Sequence, residues 1–448
     1  MIKICVRLVQ RWLPEPFIFA ILLTFVAAVV VMPVCHQTPI EVVEHWGGGV
    51  WNLLAFAMQM ALVLVCGSAL AAAPAIKRGI DALARIPKTP AAAIALVTVV
   101  SALACWLNWG FGLIIGVVFA KAIARQLAGV DYRLLIASAY SGFVVWHAGV
   151  SGSIPLTMAT EGEIGKVTGG AMNLTVPVSQ TIFDVHNLVM VLLVIVAITV
   201  ANTLMHPKKG AVTVDPVLLE EDTKDIKDTK DLKNPTPAQR LENSPILSWM
   251  IALLLAAYVV AKLGFRGGSL DLGTVIMVFL SLGLMLHGTP MAYVRAFGKA
   301  TTGAAGIILQ FPLYAGIMGI ITGVGASGVS MGNVIADFCV NISTPVTYPL
   351  LTFLFAALLN MFVPSGGGHW AIQAPIMLPA GAALGVADGL TGTAIAWGDA
   401  WTNLIQPFWA LPALAIAKLS ARDIMGYCLV DLLITGVIIC GGLVIWAL

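Results

Sequence analysis

Charge is scarce in this chain: Asp, Glu, Lys and Arg together make up 10% of its 448 residues, against about 25% in ordinary soluble domains. With 59% hydrophobic residues and a mean hydropathy of +0.95, a soluble fold could not hide its apolar surface. The net charge of +2 is small and evenly spread. Phosphate binding needs Lys and Arg clustered on one face, so a nucleic-acid partner is excluded. The seven cysteines (5, 35, 66, 105, 339, 428, 440) are scattered without CxxC or metal-type spacing, and read as small buried hydrophobes. No metal and no cofactor is expected beyond a coupling ion. A cleavage signal is missing as well: Lys3, Arg7 and Arg11 precede a long apolar run with no A-x-A site, and Met32, Pro33 and Val34 before Cys35 exclude a lipoprotein cysteine. The expectation is a retained signal anchor with a short amphipathic helix ahead of it on the cytoplasmic surface.

What is abundant is apolar sequence in runs near the ~20 residues that cross a bilayer as helix. These include 16–34, 50–73, 175–204, 246–263 and 428–447. Positive charge in short loops marks the cytoplasmic side, so a cytoplasmic N-terminus followed by spans 16–34 and 50–73 meets the basic loop Lys77, Arg78, Arg85 and Lys88 where one is required. The unit 89–120 has basic residues at both ends, and its second part, 110–120, is too short to span about 30 Å at ~1.5 Å per residue. It is therefore expected to be a re-entrant hairpin with its tip at Asn108 to Gly112. Segments 134–158 and 175–204 follow, then a charged stretch, 206–244, that reads as a cytoplasmic linker with a near-repeat of Asp-Thr-Lys-Asp-Ile-Lys from Asp222.

The linker divides an N-terminal half, 1–205, from a C-terminal half, 245–448. In the second, 246–263, 272–287 and 301–325 lead to another hairpin, 347–384, with its tip at Pro364 to Trp370; segments 391–418 and 428–447 follow, leaving the C-terminus periplasmic. Side by side, each half reads as two spans, a glycine-tipped hairpin, an interrupted span and a final span, entering from opposite faces. Asn108 to His147 is 39 positions and Pro364 to Asp399 is 35. The fold class expected is an all-α inverted-repeat secondary transporter, with two re-entrant hairpins and two interrupted helices meeting at a midplane site.

Four stretches break the apolar pattern: Asn108 to Gly112, His147 to Pro155, Pro364 to Trp370 and Asp399 to Pro407. Backbone exposed at such depth needs protein or a water-lined cavity, because lipid offers no partners. A half-helix starting at a break presents free N–H groups and about half a positive charge, enough to attract an anion. None of the four stretches contains Lys or Arg. A carboxylate is therefore expected to be held by Ser365, the amides of Gly366, Gly367 and Gly368, Asn108 and the pair Thr402–Asn403, with Trp109, Gly110 and His369 beside them. Ionisable residues in the membrane are functional candidates by default, so the coupling ion, H+ or Na+, is assigned to Asp399 with His147 and Ser151. His186 reads as a structural imidazole. Seven tryptophans (106, 109, 146, 370, 397, 401, 409) surround the breaks and are expected to wall the cavity or belt the interface. A rival reading, an intramembrane serine protease, rests on Gly149-Val150-Ser151-Gly152 with His369 as base; it does not account for two similar halves.

At PSGGGHW (364–370) and WGDAWTNLIQPFWALP (397–412) the sequence resembles the short-chain fatty acid transporter family of AtoE-type permeases. The likeness extends through RWLP (11–14), WNLLAF (51–56) and RDIMGYC (422–428). That family is similar to the larger ion-transporter superfamily of dicarboxylate and aminobenzoyl-glutamate carriers, with two hairpins, two unwound helices and an elevator-like motion. The resemblance implies import of acetoacetate or butyrate across the bacterial inner membrane by symport, a substrate role for Asn108, Ser365, Thr402 and Asn403, and a homodimer. The superfamily's Ser-Asn-Thr hairpin tips are replaced here by Asn-Trp-Gly and Pro-Ser-Gly, which puts the sodium sites built on those tips in question. Alternatives are a carrier of dicarboxylates or amino-acid conjugates, or a sodium–proton antiporter.

Overall fold

The computed structural model describes residues 16–207, 210–213, 236–268, 270–361, 363–406 and 408–448. The expected N-terminal surface helix and most of the linker lie outside the described residues. The linker's end forms the short helix Pro237–Glu242, started by a capping box between Thr236 and Gln239. Among the described residues all regular structure is helical, and eight helices are long and apolar enough to cross a membrane. Their outward faces carry large apolar side chains at helical spacing: Leu22, Phe25 and Val29 on Pro16–Cys35, and Leu192, Val196 and Val200 on Val185–Leu204. Such faces have no place in water. The protein is an all-α membrane protein.

The first hairpin pairs Pro90–Leu107 with Trp109–Gln126 through the single residue Asn108. Each arm has 18 residues, about 27 Å of helix. This corrects the length argument made from sequence, because the second arm continues through Lys121 and Arg125. The tip marks the hairpin instead: Asn108 is extended (φ −153°, ψ 120°) and fully buried, so the chain reverses inside protein. Gly67 on Leu54–Ala71 permits this, since a Cβ there would lie 2.1 Å from the Asn108 amide oxygen. The second hairpin pairs Tyr348–Asn360 with Gly366–Ala383, and its tip is also buried at Val363 and Ser365.

Each hairpin is followed by a broken helix. Tyr132–Ser141 tightens into a 3₁₀ segment, Gly142–Ala148, opens at 149–152 and restarts as Ser153–Met158. Asp388–Thr402 ends before an irregular stretch, and helix resumes at Ala410–Ala417. A long final helix closes each half, Val185–Leu204 and Ala421–Ala447. Three apolar helices, Pro245–Val260, Leu272–His287 and Ala305–Thr322, precede the second hairpin at the segments read as 246–263, 272–287 and 301–325, so the matching of the halves as two spans each before the hairpin is not met. Two further helices, Pro39–Gly49 and Met331–Ile342, fall in segments read as connections. The first packs on Ala305–Thr322 and the second on Gly366–Ala383. Both halves contribute to one packed centre, where Gly142–Ala148 lies against Asp388–Thr402.

Candidate functional site

The second hairpin ends its irregular tip at Ser365, which occupies the N-cap position of Gly366–Ala383 without its side-chain oxygen accepting a capping hydrogen bond. An N-cap serine ordinarily spends its oxygen on the N–H groups one turn ahead. Here the first turn is all glycine, and its amides are left to whatever enters. The opposite tip differs, because Asn108 accepts the Phe111 N–H at 2.9 Å and caps its own helix. Only one of the two tips offers a bare helix start.

That start opens into a small pocket with walls from both halves. Trp109 and Trp146 (ring centroids 5.7 Å apart), Phe143 and Trp409 form one aromatic wall; Met60, Ile307 and Phe311 form the other. Ser153, Ser365, Gly366 and Gly367 supply the polar edge. The indole N–H groups of Trp109 and Trp146, two of the lining residues, are buried without a hydrogen-bond partner. No lining residue is basic. The site combines a helix N-terminus, a free hydroxyl and unpaired N–H donors with an apolar remainder, which suits one carboxylate carrying a short hydrocarbon tail.

Behind the polar edge lies a chain of buried side chains. Ser153 hydrogen-bonds His147 Nε2 at 2.9 Å, and His147 Nδ1 meets Asp399 Oδ2 at 2.7 Å. Asp399 Oδ1 faces His369 Nδ1 at 3.4 Å, while His369 Nε2 bonds Gln373 Oε1. His147, His369 and Asp399 are at most 1% exposed. A carboxylate at this depth is costly unless paired, and two imidazoles from two different elements surround it. Just beyond, the Asn360 amide nitrogen reaches the Asp399 carbonyl (2.9 Å), Thr402 Oγ1 (3.0 Å) and Asn403 Oδ1 (2.9 Å), gathering the end of the broken helix.

Of the residues expected from sequence, Trp109, Ser365, Gly366 and Gly367 line the cavity, and His147, His369 and Asp399 meet in the cluster behind it. Asn108 lies against Gly67, Gly110 against Leu64 and Gly368 against Tyr314, none of them on the cavity wall. Thr402 and Asn403 gather at Asn360. Ser151 accepts the Trp109 N–H at 2.9 Å and so fastens the first break to the first hairpin; Ser153, two residues on, stands where Ser151 was expected. His369 bonds Gln373, so the Ser151–His369 pairing required by a protease is not made. His186 is held by Asp184 and stacks on Trp446, remote from the cluster. Trp397 and Trp401 anchor neighbouring helices through Asn187 and the Leu432 carbonyl.

Sequence reasoning missed Ser153, Asn360, Gln373 and Asp431. Each is a polar residue inside an apolar run, a signal available from position alone. Asp431 is fully buried on the last helix, beside Ser141 and Asn202. Outside the spans, Asp271 caps Leu272–His287: burial pushes its carboxyl up, but hydrogen bonds from Lys262 and Thr274 outweigh this and hold it below the usual carboxylate range.

Comparison with known proteins agrees with this architecture. Residues 1–446 match the family model described as short chain fatty acid transporter. An Escherichia coli (strain K12) protein, provisionally named a short-chain fatty acid transporter, is 45% identical over 441 residues, covering 98% of each chain. A Haemophilus influenzae protein with the same provisional name is 43% identical over 439 residues, covering 97% of each. Among solved structures, the Alcanivorax borkumensis YdaH transporter superposes with a TM-score of 0.61 at 16% identity, covering 97% of this chain and 98% of its own, which bears on the fold alone. The relatives are named as transporters and not as enzymes, and this chain belongs to the short-chain fatty acid transporter family.

Proposed function

We propose that this protein is a secondary carrier that imports short-chain carboxylates of the butyrate and acetoacetate class across the bacterial inner membrane, driven by a coupled cation. The observation that carries the reading is the uncapped glycine start of Gly366–Ala383, opening into an aromatic cavity with no Lys or Arg. A helix N-terminus neutralises one carboxylate, and apolar walls fit a short acyl tail. A dicarboxylate would leave its second charge among tryptophans, so a single charge is favoured.

In this reading the N-terminus is cytoplasmic, the C-terminus periplasmic, and the two halves form an inverted repeat meeting at the midplane. The ion is held at the Asp399 cluster, next to the substrate. The proposed assembly, a homodimer, rests on the family resemblance alone. The test is uptake of labelled butyrate and acetoacetate into proteoliposomes, with Ser365→Trp filling the cavity. Uptake is expected for the native protein and lost in the variant; a fully active Ser365→Trp would remove this site.

A further inference from the structure

Two backbone groups fix where the protons sit in the buried cluster. The Ile154 N–H can only donate, and it points at His147 Nε2 at 3.1 Å. That nitrogen must therefore be bare, so the His147 proton is on Nδ1 and is donated to Asp399 Oδ2. The Thr352 carbonyl can only accept, and it takes the Gln373 amide nitrogen at 3.1 Å. Gln373 therefore turns its oxygen to His369, whose Nε2 must carry a proton. What remains is His369 Nδ1 opposite Asp399 Oδ1, 3.4 Å apart, neither with any other partner. With neutral His369 and ionised Asp399, two lone pairs face each other in a buried site. One added proton converts the opposition into an N–H···O bond and brings the cluster from one net negative charge to zero.

We propose that the coupling ion of this carrier is a proton, bound between His369 Nδ1 and Asp399 Oδ1. This rests on the carboxylate reading above. Charged and titratable neighbours do not offer an alternative neutralising group: His147 is committed on both nitrogens, and the Tyr314 hydroxyl beside Gly368 is directed to Gln310. No Lys or Arg lies on the helices that meet here, Gly142–Ala148, Gly366–Ala383 and Asp388–Thr402. The substrate site meets the proton site through His147, whose ring would lie 2.6 Å from a Cβ on Gly366 and which bonds the other oxygen of Asp399. A carboxylate at Gly366 and Gly367 therefore raises the proton affinity of the cluster, and the proton raises affinity for the anion by the same factor. One anion moves with one proton, so transport is electroneutral.

The experiment uses the full-length native chain in proteoliposomes, with protein-free vesicles as baseline. Exchange of labelled for unlabelled butyrate at equal pH tests the carrier reading by itself, and its absence would overturn that reading together with this one. With exchange established, an inward proton gradient is expected to raise the initial rate of butyrate uptake at least tenfold above that of protein-free vesicles given the same gradient, while a sodium gradient or a potassium-diffusion potential adds nothing. Accumulation driven by sodium, or by membrane potential alone, would overturn the proton assignment and leave the carrier intact. His369→Gln, which cannot hold the proton, is expected to lose the response to the pH gradient. Because that variant could misfold, nitrogen NMR of histidine-labelled native protein gives a second readout. His369 Nε2 is expected to stay protonated across the titration while Nδ1 gains a proton, at higher pH with butyrate than without. A His369 that never protonates on Nδ1, or whose titration ignores butyrate, overturns the proposal.

Discussion

Gly366→Ala separates a functional role for the second hairpin tip from a purely structural one. The added Cβ would fall 2.4 Å from Ser153 Oγ, 2.6 Å from His147 Cε1 and 2.9 Å from the Trp146 ring. All are closer than carbon tolerates, and the two ring atoms belong to buried residues with little room to yield. Alanine is otherwise the better helix former by up to about 1 kcal/mol, whereas overpacking costs about 1–3 kcal/mol. The balance is a net loss of up to about 2 kcal/mol, so the protein is expected to fold and to melt only several degrees below the native one. Function has no such compensation. Pushing Ser153 and the helix start apart loosens the hydrogen bond to His147 and shifts the amides that hold the anion, each worth about 1–1.5 kcal/mol. Uptake measured as kcat/KM for butyrate should fall roughly 10- to 100-fold, since about 1.4 kcal/mol is a factor of ten. Native uptake from a well-folded Gly366→Ala would show that nothing of consequence is held at this contact.

Replacing the two unpartnered indole donors, by Trp109→Phe or Trp146→Phe, removes an N–H from a ring that lines the cavity while keeping most of the ring; KM for butyrate should rise about tenfold per substitution, with kcat less affected. Asn360→Ala strips the amide from the Asp399 carbonyl, Thr402 and Asn403 and leaves a void, so thermal melting in detergent should drop by several degrees. The Asp271 carboxyl is held below its ordinary range in the folded protein, so its contribution is present above the unfolded value of about 4 and is lost as pH falls through the lower folded value. Between about pH 5 and pH 3 the native protein should therefore lose more stability than Asp271→Asn, measured by melting at each pH.

Much of this fold was legible because the membrane imposes its own grammar: apolar runs of fixed length, basic loops, and breakers where backbone leaves the helix. The observed interruptions, at Asn108, at 149–152, at Ser365 and after Thr402, fall within the stretches read at 108–112, 147–155, 364–370 and 399–407. Lengths were harder. Lys121 and Arg125 suggested an end to the first hairpin, yet the helix runs through them to Gln126, since helical hydrogen bonding does not stop at charge. Pro39–Gly49 and Met331–Ile342 are too short to register as spans, and their placement is decided by packing partners far along the chain. In the site, composition told which stretches were polar but not which hydroxyl turned which way. Ser151 and Ser153 share one break and face different partners, because the turn at 149–152 rotates between them. The cavity walls at Met60, Phe143 and Phe311 were invisible, since nothing distinguishes a wall residue from core until the helices meet.

The unspent hydroxyl of Ser365 leaves the protein open to mimicry from within. An aspartate at that position would reach the very amides that a diffusing acid must find, tethered and at no entropic cost of capture. Ser365→Asp should thus behave as a carrier with its passenger permanently seated: harder to melt, deaf to added butyrate in any binding assay, and idle in vesicles.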